Sequence, residues 1–217
     1  MEEILPALGA GILASIICNP LDVIRINQQL NKKIKYDSSL FHRGINYGII
    51  VVPSFWIIYF PVYKKLKQNN VNTSISAYIS CCLASTVTTP FWILRQKAQT
   101  DTVHNWKLVP FSNYYKGIIS TYIINLSFIV HIPLYEYLKS KTDNSAFNTF
   151  INTSVSKTIA SCIFYPIDTI RAKLRDNKTL KGMKIYDFYI GLPIYIFRSI
   201  PYYTTIFCTF EFIKKRI

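Results

Sequence analysis

The chain has 217 residues, 50% of them hydrophobic and 17% charged, which is too apolar and too lightly charged for a disordered, fibrous or low-complexity protein. Its 25 Lys and Arg against 11 Asp and Glu give a formal charge of +14. In a soluble domain that surplus suits nucleic acid and in a membrane protein it suits anions or charged headgroups, so the placement of the charges decides the class.

In chain order, residues 4–21, 44–63, 68–94 and 117–135 contain no Asp, Glu, Lys or Arg. Each is close to the roughly 20 residues that a helix needs to cross a hydrocarbon core of about 30 Å. Residues 144–167, interrupted by Lys157, and 188–210, interrupted by Arg198, bring the predicted spans to six. Ser, Thr, Asn and Tyr are scattered through them, as in a bundle with a polar interior. The competing reading, a soluble helical bundle, fits less well: the charges cluster between spans, at Lys32 to Lys35, Lys64 to Lys67 and Lys173 to Lys184, instead of lining one helix face. Met1-Glu2-Glu3 runs directly into apolar sequence, so no cleaved presequence is expected. Cys18, Cys81, Cys82, Cys162 and Cys208 sit in apolar stretches without metal-ligand spacing and read as small buried hydrophobes.

The odd spans share an ending: Pro20-Leu21-Asp22-Val23-Ile24-Arg25, Pro90-Phe91-Trp92-Ile93-Leu94-Arg95 and Pro166-Ile167-Asp168-Thr169-Ile170-Arg171. A glycine opens each even span, in Arg43-Gly44, Lys116-Gly117 and Ile190-Gly191, and an aromatic followed four residues later by lysine closes it: Tyr63 and Lys67, Tyr135 and Lys139, Phe210 and Lys214. Three landmarks in one order, three times, signal an internal repeat, with boundaries expected at 1–70, 71–143 and 144–217.

This pattern resembles the mitochondrial carrier family, and the resemblance runs along essentially the whole chain. It implies an all-α membrane protein: six transmembrane helices in three pseudo-threefold repeats, with short matrix helices and both termini on the cytosolic side. The repeats are shorter than the family norm, with the deficit expected in residues 31–43, 100–113 and 176–187.

Asp22, Arg25 and Gln29 share one helix stripe, as do Asp168, Arg171 and Arg175. A local Asp–Arg pair is the bland explanation, but at about 0.3–0.5 kcal/mol it does not account for a threefold recurrence. Charges at membrane depth normally face a bundle interior. The resemblance implies a matrix gate in which Asp22 bonds Arg95 and Asp168 bonds Arg25, braced by Gln29 and Gln99, with Pro20, Pro90 and Pro166 kinking the odd helices. Trp92 stands where an acid belongs, which leaves Arg171 without a ring partner. The implied cytosolic gate comprises Lys67, Glu136, Lys139, Glu211 and Lys214; Lys64 takes the acidic place in the first repeat, and a Phe60-Pro61-x-x-Lys64 register competes with it.

Arg198 lies mid-span. It reads either as a structural partner of a neighbouring helix or as a bidentate contact for phosphate or carboxylate, and the resemblance favours contact. The matching level on the fourth span is Ile123, Ile124 and Asn125, and Lys157 is a second candidate phosphate ligand. Trp92 and the aromatic segment after Pro53 resemble the branch carrying nucleotides, dinucleotide cofactors and folate. The expected function is nucleotide exchange, of ADP and ATP or deoxynucleotides, across the inner mitochondrial membrane, with cardiolipin as lipid partner and a monomer as working unit. The alternatives are another anion such as NAD, folate or a carboxylate, another organelle membrane, or a carrier-derived binding protein. Nucleic acid, metal and cofactor are not expected. Nor is an enzyme: there are no paired carboxylates and no phosphate-cradling glycine loop, and His42, His104 and His131 form no ligand cluster. The leaning toward Ile, Lys, Asn and Tyr suits an AT-rich genome such as a virus's or a parasite's, in which case the host mitochondrion is the expected site.

Overall fold

The computed structural model describes residues 4–34, 36–100, 110–143 and 145–214, and for 4–8, 111, 146 and 206–214 it describes the backbone alone. The Met1-Glu2-Glu3 start and His104 therefore lie outside the described residues, as do the side chains of Cys208, Glu211 and Lys214.

Among the described residues there are seven α-helices: α1 (Ile4–Gln29), α2 (Ile45–Gln68), α3 (Thr73–Gln99), α4 (Ile118–Asn125), α5 (Ser127–Ser140), α6 (Ala146–Arg175) and α7 (Leu192–Lys214). Among the described residues there is no strand. Leu126 interrupts the fourth span between α4 and α5 with a tightened turn, its N–H bonding Ile123 O at 3.1 Å, so the seven helices make six spans. The segments Gly9–Gln29, Ser38–Gln68, Thr73–Gln99 and Ile118–Ser140 are long and apolar enough to cross a membrane by length and composition. The fifth and sixth spans, α6 and α7, are the two that carry the intramembrane Lys157 and Arg198.

The helices form a closed ring. Each span packs on the next in chain order, α7 returns to α1, and α1, α3 and α6 also touch one another. Polarity is arranged inside out. Asn19, Ser76, Ser80, Thr89, Ser156 and Thr169 are fully buried, whereas Ile17, Leu83, Val87, Ile119, Ile163 and Ile200 are exposed. Water would expel such a surface and hydrocarbon accepts it, so this distribution excludes the soluble-bundle reading. Cys18 and Cys81 are buried, Cys82 and Cys162 half-buried, and all four are free thiols.

Each motif proline lies inside its helix, which continues nine residues beyond it. The missing N–H leaves the carbonyls of Ile16, Thr86 and Cys162 without that intrahelical donor. Helices α1, α2 and α6 end the same way: Asn31, Asn70 and Asn177 adopt φ of 49°, 59° and 57°, and the next N–H reaches back to Asn27 O, Leu66 O and Lys173 O. This is the Schellman stop, with asparagine in the left-handed position usually taken by glycine. Among the described residues, the connections carry the 3₁₀ turns Ser38–Phe41, Phe111–Asn113 and Ile185–Tyr189.

The glycines that open the even spans complete the ring. Gly44, Gly117 and Gly191 have φ of 70°, 75° and 87°. A Cβ on Gly44 would lie 2.9 Å from Arg95 O, one on Gly117 3.4 Å from Arg171 O, and one on Gly191 3.3 Å from Arg25 O. Each glycine thus seats against the backbone of the motif arginine in the next third of the chain, and the third contact returns to the first. Gly44→Ala is expected to suffer both the left-handed strain, roughly 1–2 kcal/mol, and the clash with Arg95 O. Gly182→Ala, at φ 80° with open space around it, suffers the strain alone. Thermal unfolding in detergent should therefore show a larger loss for Gly44→Ala, and equal losses would remove the packing argument.

Candidate transport site

The three odd helices carry their charges to one end of the ring. Arg95 Nη2 on α3 donates to Asp22 Oδ2 on α1 at 3.1 Å, and Arg25 Nη2 on α1 lies 3.4 Å from Asp168 Oδ2 on α6. Each carboxylate holds a second arginine. Asp22 also faces Arg198 of α7, with Nε 2.5 Å from Oδ1 and Nη2 donating to Oδ2 at 3.2 Å. Asp168 also pairs with Arg171, one turn along its own helix. At about 3 Å and an effective dielectric near 20, one such contact gains roughly 5 kcal/mol. Removing each charge from water costs several kcal/mol, so a simple pair is close to balance and the sharing of each carboxylate tips it.

The surrounding amides divide unequally. Gln29 Nε2 donates to Asp168 Oδ2 at 3.0 Å and lies against Thr169 Oγ1 at 3.4 Å, bracing the α1–α6 side. Gln99 turns to Asn19 Oδ1 at 3.4 Å and does not touch an ion pair. Asn19 in turn donates to the carbonyls of Leu40, Phe41 and Arg43 ahead of Gly44. On the α3–α6 side, where Trp92 replaces the acid, the link is neutral: Gln96 Nε2 donates to Ala172 O at 2.7 Å. Asn27 Nδ2 similarly ties α1 to Gln99 O at 3.1 Å. Trp92 lies 5.4 Å under the guanidinium of Arg95 on its own helix, so its stacking serves Arg95 and not Arg171.

Two adjoining cavities lie inside the ring. One, of about 200 Å³, is lined by Arg25, Arg95, Arg171, Arg175 and Arg198 against only Asp22 and Asp168. The other, of about 210 Å³, shares Arg25, Asp168 and Arg171 with the first and adds Lys157, Ile124, Asn125, Phe128, Tyr165 and Tyr195. Lys157 Nζ sits 3.8 Å above the Phe128 ring. Among the described residues no carboxylate pairs with it. Asn125 Nδ2 donates to Ser85 Oγ at 3.2 Å.

The expected substrate residues are therefore only partly brought together. Lys157, Ile124 and Asn125 line one cavity. Arg198 lines the other and is bound to Asp22, so the structural reading of that arginine is realised in this state. Ile123 is 38% exposed and lines neither cavity, because the helical turn that points Ile124 and Asn125 inward points it away. At the opposite end, Lys67, Glu136 and Lys139 are exposed, and among the described residues no ion pair joins them; Lys67 Nζ bonds Thr73 Oγ1 at 2.8 Å. Among the described residues, ion pairs bond the first end and none bonds the second. The repeat pattern missed Gln96, Asn27 and Asn19: the first two stand at different offsets from their prolines, and Thr89 and Tyr165 occupy the position of Asn19 in the other repeats.

Asp22→Asn releases Arg95 and Arg198 together, whereas Arg95→Gln leaves Asp22 its bond to Arg198. Breaking buried pairs by removing one partner costs about 3–5 kcal/mol, so thermal unfolding should rank Asp22→Asn well below Arg95→Gln. The reverse order would mean that the carboxylate does not organise this end.

No protein-family model matches the sequence. Nearly the whole chain is nonetheless similar to curated transport proteins. It is 28% identical to mitochondrial substrate carrier family protein W of Dictyostelium discoideum, over 99% of this chain and 86% of that protein. It is 24% identical to nicotinamide adenine dinucleotide transporter 1, chloroplastic, of Arabidopsis thaliana, over 95% of this chain and 89% of that one. It is also 24% identical to solute carrier family 25 member 33 of Mus musculus, over 94% and 79%. The first alignment spans 284 positions against 217 residues here, so this chain lacks segments that the relative has. The relatives are transporters and not enzymes, and this chain is a six-span, all-α membrane solute carrier resembling the mitochondrial carrier family.

Proposed function

We propose that the protein exchanges nucleotides, ADP and ATP or deoxynucleotides, across the inner mitochondrial membrane by alternating access. The observation that carries this reading is the cavity around Lys157: an ammonium above an aromatic ring, without an acidic partner among the described residues, beside Tyr165, Tyr195 and Asn125 and adjoining a chamber rich in arginine. Phosphates suit the cations, and a flat base suits the rings and the amide. In this scheme the ring formed by Asp22, Arg25, Arg95, Asp168 and Arg171 is the matrix gate. Lys67, Glu136, Lys139, Glu211 and Lys214 make the cytosolic gate, and the repeats are 1–70, 71–143 and 144–217.

Substrate works through competition for Arg198. A phosphate that takes this guanidinium removes one of the two cations held by Asp22, so binding weakens the closed end while the ligand offsets the loss. The tightened turn at Leu126, beside Asn125, is a natural hinge for the closing motion. NAD is the second reading, favoured by the two NAD transporters of Arabidopsis thaliana among the relatives; one is named chloroplastic, which keeps another organelle membrane in view. Cardiolipin is the proposed lipid partner, and a monomer the proposed working unit.

Reconstitution into liposomes with labelled nucleotides, NAD, folate and carboxylates tests the substrate. Saturable nucleotide exchange is expected; exchange of NAD alone selects the second reading, and an unsaturable leak rejects a carrier. Lys157→Gln should raise KM for a nucleotide by about 10-fold or more while barely moving the unfolding temperature, because Lys157 has no ion partner to abandon. Arg198→Gln should damage both, since it also strips Asp22 of a partner.

A further inference from the structure

The α3–α6 side of the ring is closed in shape but not in charge. Asp22 is engaged by Arg95 and Arg198, and Asp168 by Arg25 and Arg171. That exhausts the carboxylates lining the arginine chamber and leaves Arg175 outside the pairing. Arg175 is 5% exposed. Its Nε has no hydrogen-bond partner, and Nη2 makes one long contact, 3.4 Å to Thr121 Oγ1. Among the described residues no acid lies within ion-pair reach of it.

Arg171 and Arg175 are one helical turn apart, and both stems rest on Gly117. A Cβ there would lie 3.4 Å from Arg171 Cγ and 3.6 Å from Arg175 Cγ. The glycine thus lets two guanidiniums lie side by side and enter one chamber, on the side where α3 presents Trp92 instead of an acid. The Gln96 bond to Ala172 O holds α3 and α6 together there but contributes no negative charge. A buried guanidinium with empty donors, a second one beside it and a polar chamber of about 200 Å³ are the elements of an oxyanion site.

We propose that Arg171 and Arg175, both on α6, bind a phosphate-type oxyanion that supplies the negative charge α3 lacks on this side of the ring. The anion is either free inorganic phosphate or a phosphate of the bound nucleotide. This rests on the carrier reading above and deepens it: the stability of the closed end becomes dependent on an anion, which offsets the unpaired positive charge of Arg175 beside Arg171.

The test uses the purified full chain in detergent and reads the unfolding temperature as inorganic phosphate replaces chloride at constant ionic strength, with ADP and adenosine in parallel. The wild type should rise saturably with phosphate, with ADP or with both, because a ligand that favours the native state raises its apparent stability. The arm that responds identifies the source of the anion. Arg175→Gln, which installs the residue found at the matching positions Gln29 and Gln99, should raise the half-saturating concentration about 10-fold. Trp92→Asp, which restores the carboxylate, should remove the response. A wild type indifferent to both phosphate and ADP, a response unchanged in Arg175→Gln, or adenosine acting as well as ADP each overturns the proposal. If phosphate stabilises the wild type but liposomes take up no nucleotide, the anion site stands and the nucleotide reading falls.

Discussion

Two carboxylates, one buried and one half-buried, organise this protein. Asp22 and Asp168 each face two guanidiniums, and through them α1 is tied to α3, to α6 and to α7. A single buried pair sits near thermodynamic balance, since desolvation consumes most of what attraction supplies. Sharing each carboxylate between two arginines makes the closed end stable, while any one arginine can still leave without stranding the acid. The exchange proposed above, in which this ring opens repeatedly, would need that property, which a dense apolar seal would not supply.

The ionic ring depends on a backbone frame beneath it. Gly44, Gly117 and Gly191 seat on the carbonyls of Arg95, Arg171 and Arg25, and this contact goes fully round, including the side where the ion pair is missing. Loss of the acid at Trp92 therefore alters the charge of the ring and not its construction. Neutral amide bonds from Asn27 and Gln96 join the odd helices just beyond the charges, so part of the closure is insensitive to electrostatics. The exterior completes the frame: exposed Ile, Leu and Val face outward, while Ser, Thr and Asn side chains occupy the contacts between helices.

The interior is a positive chamber, with arginines outnumbering aspartates five to two and Lys157 beside them. In a low-dielectric surrounding such an excess is costly by itself and attracts anions. The overall charge of +14 offers little guidance here, because most basic residues lie near helix ends and in the connections, away from the middle of the spans. The six cations inside the ring bear on the solute, and an anion attached to a planar group matches both the charges and the rings of Phe128, Tyr165 and Tyr195.

The spans and the threefold motif were legible in the sequence, because an uncharged run of about 20 residues and a repeated proline–acid–base spacing each report a local rule that holds whatever the surroundings. The pairing of Asp22 with Arg95 and of Asp168 with Arg25 was implied only by the resemblance to the carrier family. The expectation for Arg171 was incomplete: it lacks a partner on α3 but takes Asp168 on its own helix. The engagement of Arg198 by Asp22, the outward turn of Ile123 and the neutral bond from Gln96 could not be read from the chain, since each depends on which face of a helix meets which neighbour. Sequence by itself determined that six helices cross a membrane in three similar thirds and which charges those helices carry inward. Only the tertiary structure decided how two acids are divided among four of the five arginines, because that division depends on distances of a few ångströms between residues up to 176 positions apart.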